Sequence, residues 1–307
     1  MIQSYITVDV FTKMRFSGAQ IAVFPQAESL TPEQMQLIAR ELNLSDTVFL
    51  NSRASASGQA NCFNLQSFSP LQETGFGSHT TVAAAYALAH AGELKLTQRH
   101  TPITLKQGGR ELLAHVTHEQ GEIELTQLSL TTNPIVDNYV PSQQDLAELL
   151  SLPVGAFAAK PWRSLLVSNN GIYIVVPVRG LKHLREAQFN LRAWNQSLAP
   201  QTAAQQLLLF STQTELSGND FHLTLFGPSI ATSLQDPPIG AAIPAFSAYL
   251  CAHNHIQKGT YTYIAERGWS DRRQSLLHVE MDNKGSDELT LRVGGTAVVV
   301  SEGKMTI

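Results

Sequence analysis

One motif occurs twice in this chain, and a duplicated unit restricts the possible folds more than any composition can. Phe63-Asn64-Leu65-Gln66-Ser67-Phe68-Ser69-Pro70 reads F-x-L-x-x-F-x-P, and Phe221-His222-Leu223-Thr224-Leu225-Phe226-Gly227-Pro228 repeats it. Downstream, Leu71-Gln72-Glu73 faces Leu234-Gln235-Asp236 and Gly77 faces Gly240 at a constant spacing. At that same spacing Ala85-Tyr86, Ala89 and His90 face Ala248-Tyr249, Ala252 and His253. The second copy carries a short insertion at residues 229–233. Chance matching of small residues in Ala-rich stretches does not reproduce an ordered strand motif followed by an acid, a glycine and a helix.

Residues 82–91 and 245–252 are apolar on almost every side, and a helix apolar all round must be buried. Gly92 supplies a stop for the first. Around it the pattern predicts short strands at 4–11, 20–24, 47–50, 63–68, 103–106, 112–116 and 123–130. Thr31-Pro32-Glu33-Gln34 is a capping box with proline in the first turn, and Met35, Ile38, Ala39 and Leu42 follow as one apolar stripe. That helix belongs outside. A boundary falls near residues 131–134, a second outer helix starts at Ser142-Gln143-Gln144-Asp145, and strands follow at 172–178, 207–210 and 291–300. The expectation is an α+β protein of two pseudo-symmetric domains, 1–131 and 132–307, with the final strand able to cross back. Each domain is expected as a barrel-like sheet wrapped around its central apolar helix. The cleft between two such domains is the default place for a ligand.

Only 15% of residues are charged, against about 25% in a typical soluble protein. The net charge of −4 comes without a basic stripe, which argues against a nucleic-acid partner. No apolar run approaches the ~20 residues that span a bilayer, and Met1-Ile2-Gln3-Ser4-Tyr5 lacks the pattern of a signal peptide. Two cysteines suit a reducing compartment, so a cytoplasmic location is expected.

Several segments resemble the phenazine-biosynthesis isomerase (PhzF-like) family. They are Val8-Asp9-Val10-Phe11-Thr12, Phe16-x-Gly18-x-x-x-Ala22-Val23, Met35-Gln36-x-Ile38-Ala39-x-Glu41 and Asn43-Leu44-Ser45-Asp46-Thr47-x-Phe49. Further matches lie at 73–81, 235–242, 268–275 and 293–303, in the family's order across nearly the whole chain. The resemblance implies the diaminopimelate-epimerase-like fold, in agreement with the duplication. It also implies a cofactor-free isomerase that moves a proton on a small carboxylate-bearing substrate, in a homodimer. A helix N-terminus carries unpaired N–H groups and a partial positive charge. Gly77-Ser78 and Gly240-Ala241, taken to open the two buried helices, would hold the substrate's carboxylate in this way. A tight strand-to-helix turn is the plainer reading of both glycines, and the two readings are compatible.

Racemising relatives of this fold use paired cysteines at positions that match Gly77 and Ile239 here, so a two-thiol mechanism is excluded. Cys62 and Cys251 lie elsewhere and read as ordinary buried thiols. The family's N-x-S-E-T becomes Asn43-Leu44-Ser45-Asp46-Thr47, with an acid one methylene shorter. The resemblance makes Asp46 the proton shuttle, with His79 of Ser78-His79-Thr80-Thr81 and Asp236 orienting the substrate. Without it, Asp46 reads as a turn former and His79 as a capping or packing residue. Glu73, the partner of Asp236 in the repeat, reads as structural.

Departures concentrate in the pocket motifs. F-x-G-N-P reads Phe16-Ser17-Gly18-Ala19-Gln20, and D-P-A-T-G-S-A reads Asp236-Pro237-Pro238-Ile239-Gly240-Ala241-Ala242. An amide and two hydroxyls are lost, as in a relative with a shifted ligand. The rival reading is a non-catalytic small-carboxylate binding protein. Cys251-x-His253-x-His255 points in divergent directions on a helix, so no metal is expected there. Arg267, Arg272 and Arg273 form a basic patch read as solvated.

Overall fold

The computed structural model describes residues 1–52, 61–96, 98–228, 238–253, 258–285 and 287–307. It is a mixed α/β structure in which strands outweigh helices. The chain forms two compact units. One takes Met1–Leu130, Arg272–Leu277 and Arg292–Ile307; the other takes Thr131–Asp271 and His278–Leu291.

The first unit begins with β1 (Ile2–Val10), β2 (Ala19–Phe24), helix α1 (Pro32–Leu42), β3 (Asp46–Ser52), β4 (Cys62–Phe68) and the two-residue β5 (Glu73–Thr74). Helix α2 (Ser78–His90), β6 (His100–Gln107), β7 (Arg110–Glu119) and β8 (Glu122–Thr132) follow. β1 pairs antiparallel with β2, β2 runs parallel to β3, β3 is antiparallel to β4, and β4 is parallel to β6. Helix α2 packs against β1, β2, β3 and β7. Every residue from 78 to 85, with Ala87 and Leu88, is buried. The alanines explain how so many strands approach one helix: small side chains let backbones come close, and dense packing leaves no room for more. Helix α1 lies outside, as its single stripe requires. Met35, Ile38 and Ala39 close over Phe24, Phe49 and Phe68, and the Thr31–Gln34 capping box forms in both directions.

The second unit starts with β9 (Ile135–Asp137), α3 (Gln143–Leu150), β10 (Leu165–Ser168), β11 (Ile172–Pro177), α4 (Leu181–Glu186) and α5 (Leu191–Gln196). It continues through β12 (Gln206–Ser211), β13 (Phe221–Phe226), α6 (Ile243–Ala252) and β14 (Gly259–Arg267). β10 is antiparallel to β11, β11 parallel to β12, β12 antiparallel to β13, and β13 parallel to β14. This is the same succession of pairings as β1, β2, β3, β4 and β6. Helix α6 is buried from Ile243 to Leu250 and packs against β9, β10 and β11. Among the described residues, no helix is long and apolar enough to cross a membrane.

Three strands end the chain: β15 (Ser275–Asn283), β16 (Leu289–Gly295) and β17 (Ala297–Thr306). β17 pairs with β1 from Ile2↔Thr306 to Val10↔Ala297. The single strand expected at 291–300 is thus two. The break falls at Thr296, whose carbonyl accepts the N–H groups of Phe11 (2.7 Å) and Thr12 (3.2 Å). A second correction concerns α6. It opens at Ile243 with Pro244 in its first turn, and Gly240 and Ala241 lie in the turn before it. Proline suits a first turn because its missing N–H has no helical partner there.

Candidate active site

Strand β3 begins at Asp46, which pairs with Ile21 across the parallel β2–β3 ladder. Ser45, just before it, donates its hydroxyl to the Gln20 carbonyl at 3.2 Å, fixing the entry of the strand. Helix α2 begins beside it. Gly77 is its N-cap, and the Gly77 carbonyl accepts the hydroxyls of Thr80 (2.8 Å) and Thr81 (3.1 Å) and the Thr81 N–H (3.1 Å). That first turn projects His79 onto Asp46. His79 Nε2 lies 3.1 Å from Asp46 Oδ2, with both residues buried.

The protonation of the pair follows from what surrounds it. His79 Nδ1 is buried and has no hydrogen-bond partner among the described residues. A proton there would be a stranded donor, and the bare Nε2 would face a carboxylate oxygen. The tautomer with Nε2–H donating to Asp46 avoids both costs. Asp46 Oδ1 accepts the Thr74 hydroxyl at 2.9 Å, so each carboxylate oxygen has one side-chain donor among the described residues. Thr74 was not singled out by sequence reasoning. Its position one residue beyond Glu73, in the duplicated segment and in the family match at 73–81, is what pointed near it.

The other expected site residues are distributed as follows. Gly77 and Ser78 stand at the N-terminus of α2, within the same turn as His79. Ala19 is buried at the start of β2, opposite Val10. Glu73 is exposed in β5. Gly240 and Ile239 are buried and Ala241 half-buried, in the second unit, where no helix N-terminus is formed at Gly240. Asp236 lies outside the described residues, as does His255. No cluster of three or more metal-ligating side chains occurs among the described residues. Burial pushes the Cys251 thiol up to about 11. A hollow of about 770 Å³ on the first unit, bordered by Gln3, Tyr5, Gln26, His90 and Glu302, contains none of the expected site residues.

The basic patch needs correction at two of its three residues. Arg272 is exposed as expected, but Arg267 is buried, and Arg273 is ion-paired to Asp9, a carboxylate with no exposed surface. Arg273 also donates to the carbonyls of Ser17 (2.9 Å) and Gly18 (3.1 Å), while Asp9 Oδ2 accepts the Phe16 N–H at 2.7 Å. Burial pushes the Asp9 carboxyl up, against the pull of the guanidinium and of the Phe16 and Ser17 N–H groups. The pair pins the loop between β1 and β2, where Phe16 and Gly18 both have positive φ.

A second imidazole–carboxylate pair occupies the other unit. His222 Nδ1 lies 2.8 Å from Glu266 Oε1, and neither side chain has any exposure. Glu266 also accepts N–H groups from Glu215, Leu216 (3.2 Å) and Asn219 (2.7 Å), and the His222 ring lies 4.4 Å from Trp269. Burial alone would raise the Glu266 carboxyl, but these donors outweigh it and hold it below its ordinary range. Sealed from solvent, this pair fastens the 215–219 turn to β13 and β14.

Comparison with known proteins is consistent with this architecture. The fold matches that of a Bacillus anthracis phenazine biosynthesis protein of the PhzF family, with a TM-score of 0.85, 22% identity and all of both chains covered. An uncharacterized isomerase of Clostridium acetobutylicum is 26% identical over the full length of both chains. The trans-2,3-dihydro-3-hydroxyanthranilate isomerase of Pseudomonas fluorescens is 23% identical, again over all of both. A chain of this fold with these relatives is an enzyme of the isomerase class. The phenazine biosynthesis-like family model matches residues 8–303, and the chain belongs to that family.

Proposed function

We propose that this isomerase works without a cofactor, taking a proton from one carbon of a small carboxylate-bearing molecule and returning it at another. Asp46 is the shuttle. As a carboxylate it accepts the proton, and as a carboxylic acid it gives the proton back, so atoms and charge balance within the ligand. His79, donating through Nε2, orients the carboxylate. The backbone N–H groups at Gly77-Ser78 supply the positive end of α2 for the ligand's acid group. In this reading the two units are pseudo-symmetric, each a barrel-like sheet around its buried helix, and the chain works in the cytoplasm as a homodimer.

The observation that carries the reading is the buried Asp46–His79 contact at the mouth of α2, 3.1 Å long, inside a motif that otherwise follows the family. A packing histidine has no need of a carboxylate, and a turn-forming aspartate has no need of burial. The substrate named for the Pseudomonas relative, trans-2,3-dihydro-3-hydroxyanthranilate, is the first compound to try, followed by other small carboxylates ranked by thermal stabilisation. In D₂O the wild type incorporates deuterium into a compound it binds and turns over. Asp46→Asn retains the thermal stabilisation and loses the incorporation. Turnover by Asp46→Asn at the wild-type rate sinks the proposal, and binding with no exchange by the wild type establishes the non-catalytic alternative.

A further inference from the structure

Behind Asp46 lies a chain of polar groups, Thr74 half-buried and Ser67 and Gln107 buried, that the reaction as proposed does not use. Thr74 Oγ1 stands 2.9 Å from Asp46 Oδ1 and also 2.9 Å from Ser67 Oγ. A hydroxyl has one proton, so at any moment Thr74 donates to only one of the two. Ser67 Oγ is in turn 2.8 Å from Gln107 Nε2 and 3.1 Å from the Thr74 carbonyl. Gln107 Nε2 lies 3.2 Å from that same carbonyl. β4 and β5 pair Ser67 with Thr74, which brings these groups together.

The directions of these bonds are fixed by groups that can act in only one way. The Thr74 carbonyl can only accept, so the Gln107 amide must turn its NH₂ side towards it; the reversed amide would set two oxygens against each other. Gln107 Oε1 then remains buried without a partner among the described residues, a cost the arrangement tolerates. With its NH₂ thus oriented, Gln107 donates to Ser67 Oγ and to the Thr74 carbonyl, and Ser67 donates its own proton to Thr74 Oγ1. Asp46 as a carboxylate can only accept.

We infer that Gln107 is a positioning residue: by donating to both Ser67 Oγ and the Thr74 carbonyl, it leaves the Ser67 proton for Thr74 Oγ1, turns the Thr74 hydroxyl onto Asp46 and locks the carboxylate against His79. This rests on the reading of Asp46 and His79 as the working pair. It deepens that reading by giving the carboxylate a second anchor. The anchor matters because an aspartate reaches less far than a glutamate, and a carboxylate held at one oxygen only is free to rotate about Cβ–Cγ.

The test reads the Asp46–His79 bond directly in the ligand-free protein, from exchange of the His79 Nε2 proton with water by ¹⁵N-histidine NMR. Thr74→Val removes the donor and speeds exchange about tenfold or more, as for loss of a hydrogen bond to a charged group. Thr74→Ser keeps the hydroxyl and restores slow exchange. Gln107→Leu frees the Thr74 carbonyl to take the Ser67 proton, so that Ser67 Oγ competes for the Thr74 proton, and also speeds exchange. Ser67→Ala removes the competitor and leaves exchange slow. Opposite effects at Gln107 and Ser67 distinguish an oriented chain from mere packing, which both substitutions would disturb alike. Equal exchange in wild type, Thr74→Val and Gln107→Leu overturns the inference, as does equal acceleration in Gln107→Leu and Ser67→Ala. If Thr74→Val does not fold, the Gln107 and Ser67 pair decides alone. Because no substrate is involved, failure here is distinct from failure of deuterium incorporation, which bears on the shuttle itself.

Discussion

Gly77 lies bare beneath the imidazole of His79: a Cβ built on it would stand 2.5 Å from Cε1 and 2.9 Å from Nδ1. Its φ of −147° is open to any residue, so the constraint is the ring and not the backbone. The absence of a side chain at 77 is therefore what lets His79 fold back onto Asp46.

Gly77→Ala is expected to push the ring off Asp46 with little loss of stability. Turnover should fall by on the order of 10²-fold, the cost of misplacing a reacting group by about 1 Å. Deuterium incorporation with a bound carboxylate measures it. Unchanged incorporation would show that the close pair is not used.

Asp46→Glu tests reach from the other side. The longer acid lifts the carboxylate by roughly one C–C bond, away from Thr74 and into the space of His79. Incorporation should drop by about 10²-fold for a ligand suited to aspartate. A glutamate enzyme as fast as the wild type would mean that the carboxylate's depth is immaterial.

Glu266 governs acid stability. Its carboxyl is held below the ordinary range, so the folded state binds this proton more weakly than the unfolded chain does. The stability it contributes is complete above the unfolded value of about 4.3 and is lost as pH falls through the lower folded value. Glu266→Gln should cost on the order of 3 kcal/mol at pH 7 by leaving buried donors poorly matched. Its stability should then change less between pH 6 and the acid limit. Urea midpoints across that range decide it; parallel curves for the two proteins would refute the assignment.

The cysteines should be inert. With its thiol pushed up to about 11, Cys251 has roughly one molecule in a thousand as thiolate at pH 8. Iodoacetamide should label it far more slowly in the folded than in the urea-unfolded protein. Cys251→Ser should retain turnover, and loss of turnover with an intact fold would give the thiol a role.

Helix α2 leaves no space for larger side chains. Ala84 has no exposed surface, and Ala84→Leu is expected to cost about 1–3 kcal/mol by overpacking. A stability unchanged within error would mean that the strands around α2 can yield.

Much of this was legible in the chain because local chemistry determines it. The Thr31–Gln34 box, the stripe through Ile38 and the continuous apolar face of α2 each act over a few residues. The shared F-x-L-x-x-F-x-P motif marked β4 and β13, and the family motif led to Asp46 and His79. Arg273 was misread because its partner, Asp9, is distant in sequence, while the acid near it, Asp271, pairs with Arg185 instead. Thr74 and Gln107 were missed for a related reason. A hydroxyl and an amide gain meaning only from the strand pairing that faces them. The start of α6 was misplaced because Gly240 was judged from its counterpart Gly77, while Pro244 sets the first turn.

The pairing of β1 with β17 also imposes an order on synthesis. Val10 leaves the ribosome long before Ala297, its partner in the ladder. At about 5–20 residues per second, the first strand waits roughly a quarter of a minute to a minute for its neighbour. In that interval the whole of 131–271 emerges and can fold, while one edge of β1 stands open to any strand that meets it. A released chain ending at residue 291 should therefore be cut by protease within the first unit sooner than within the described residues of the second. Equal resistance of both would mean that β1 finds shelter earlier. The half of the protein that carries Asp46 and His79 is made first and finished last.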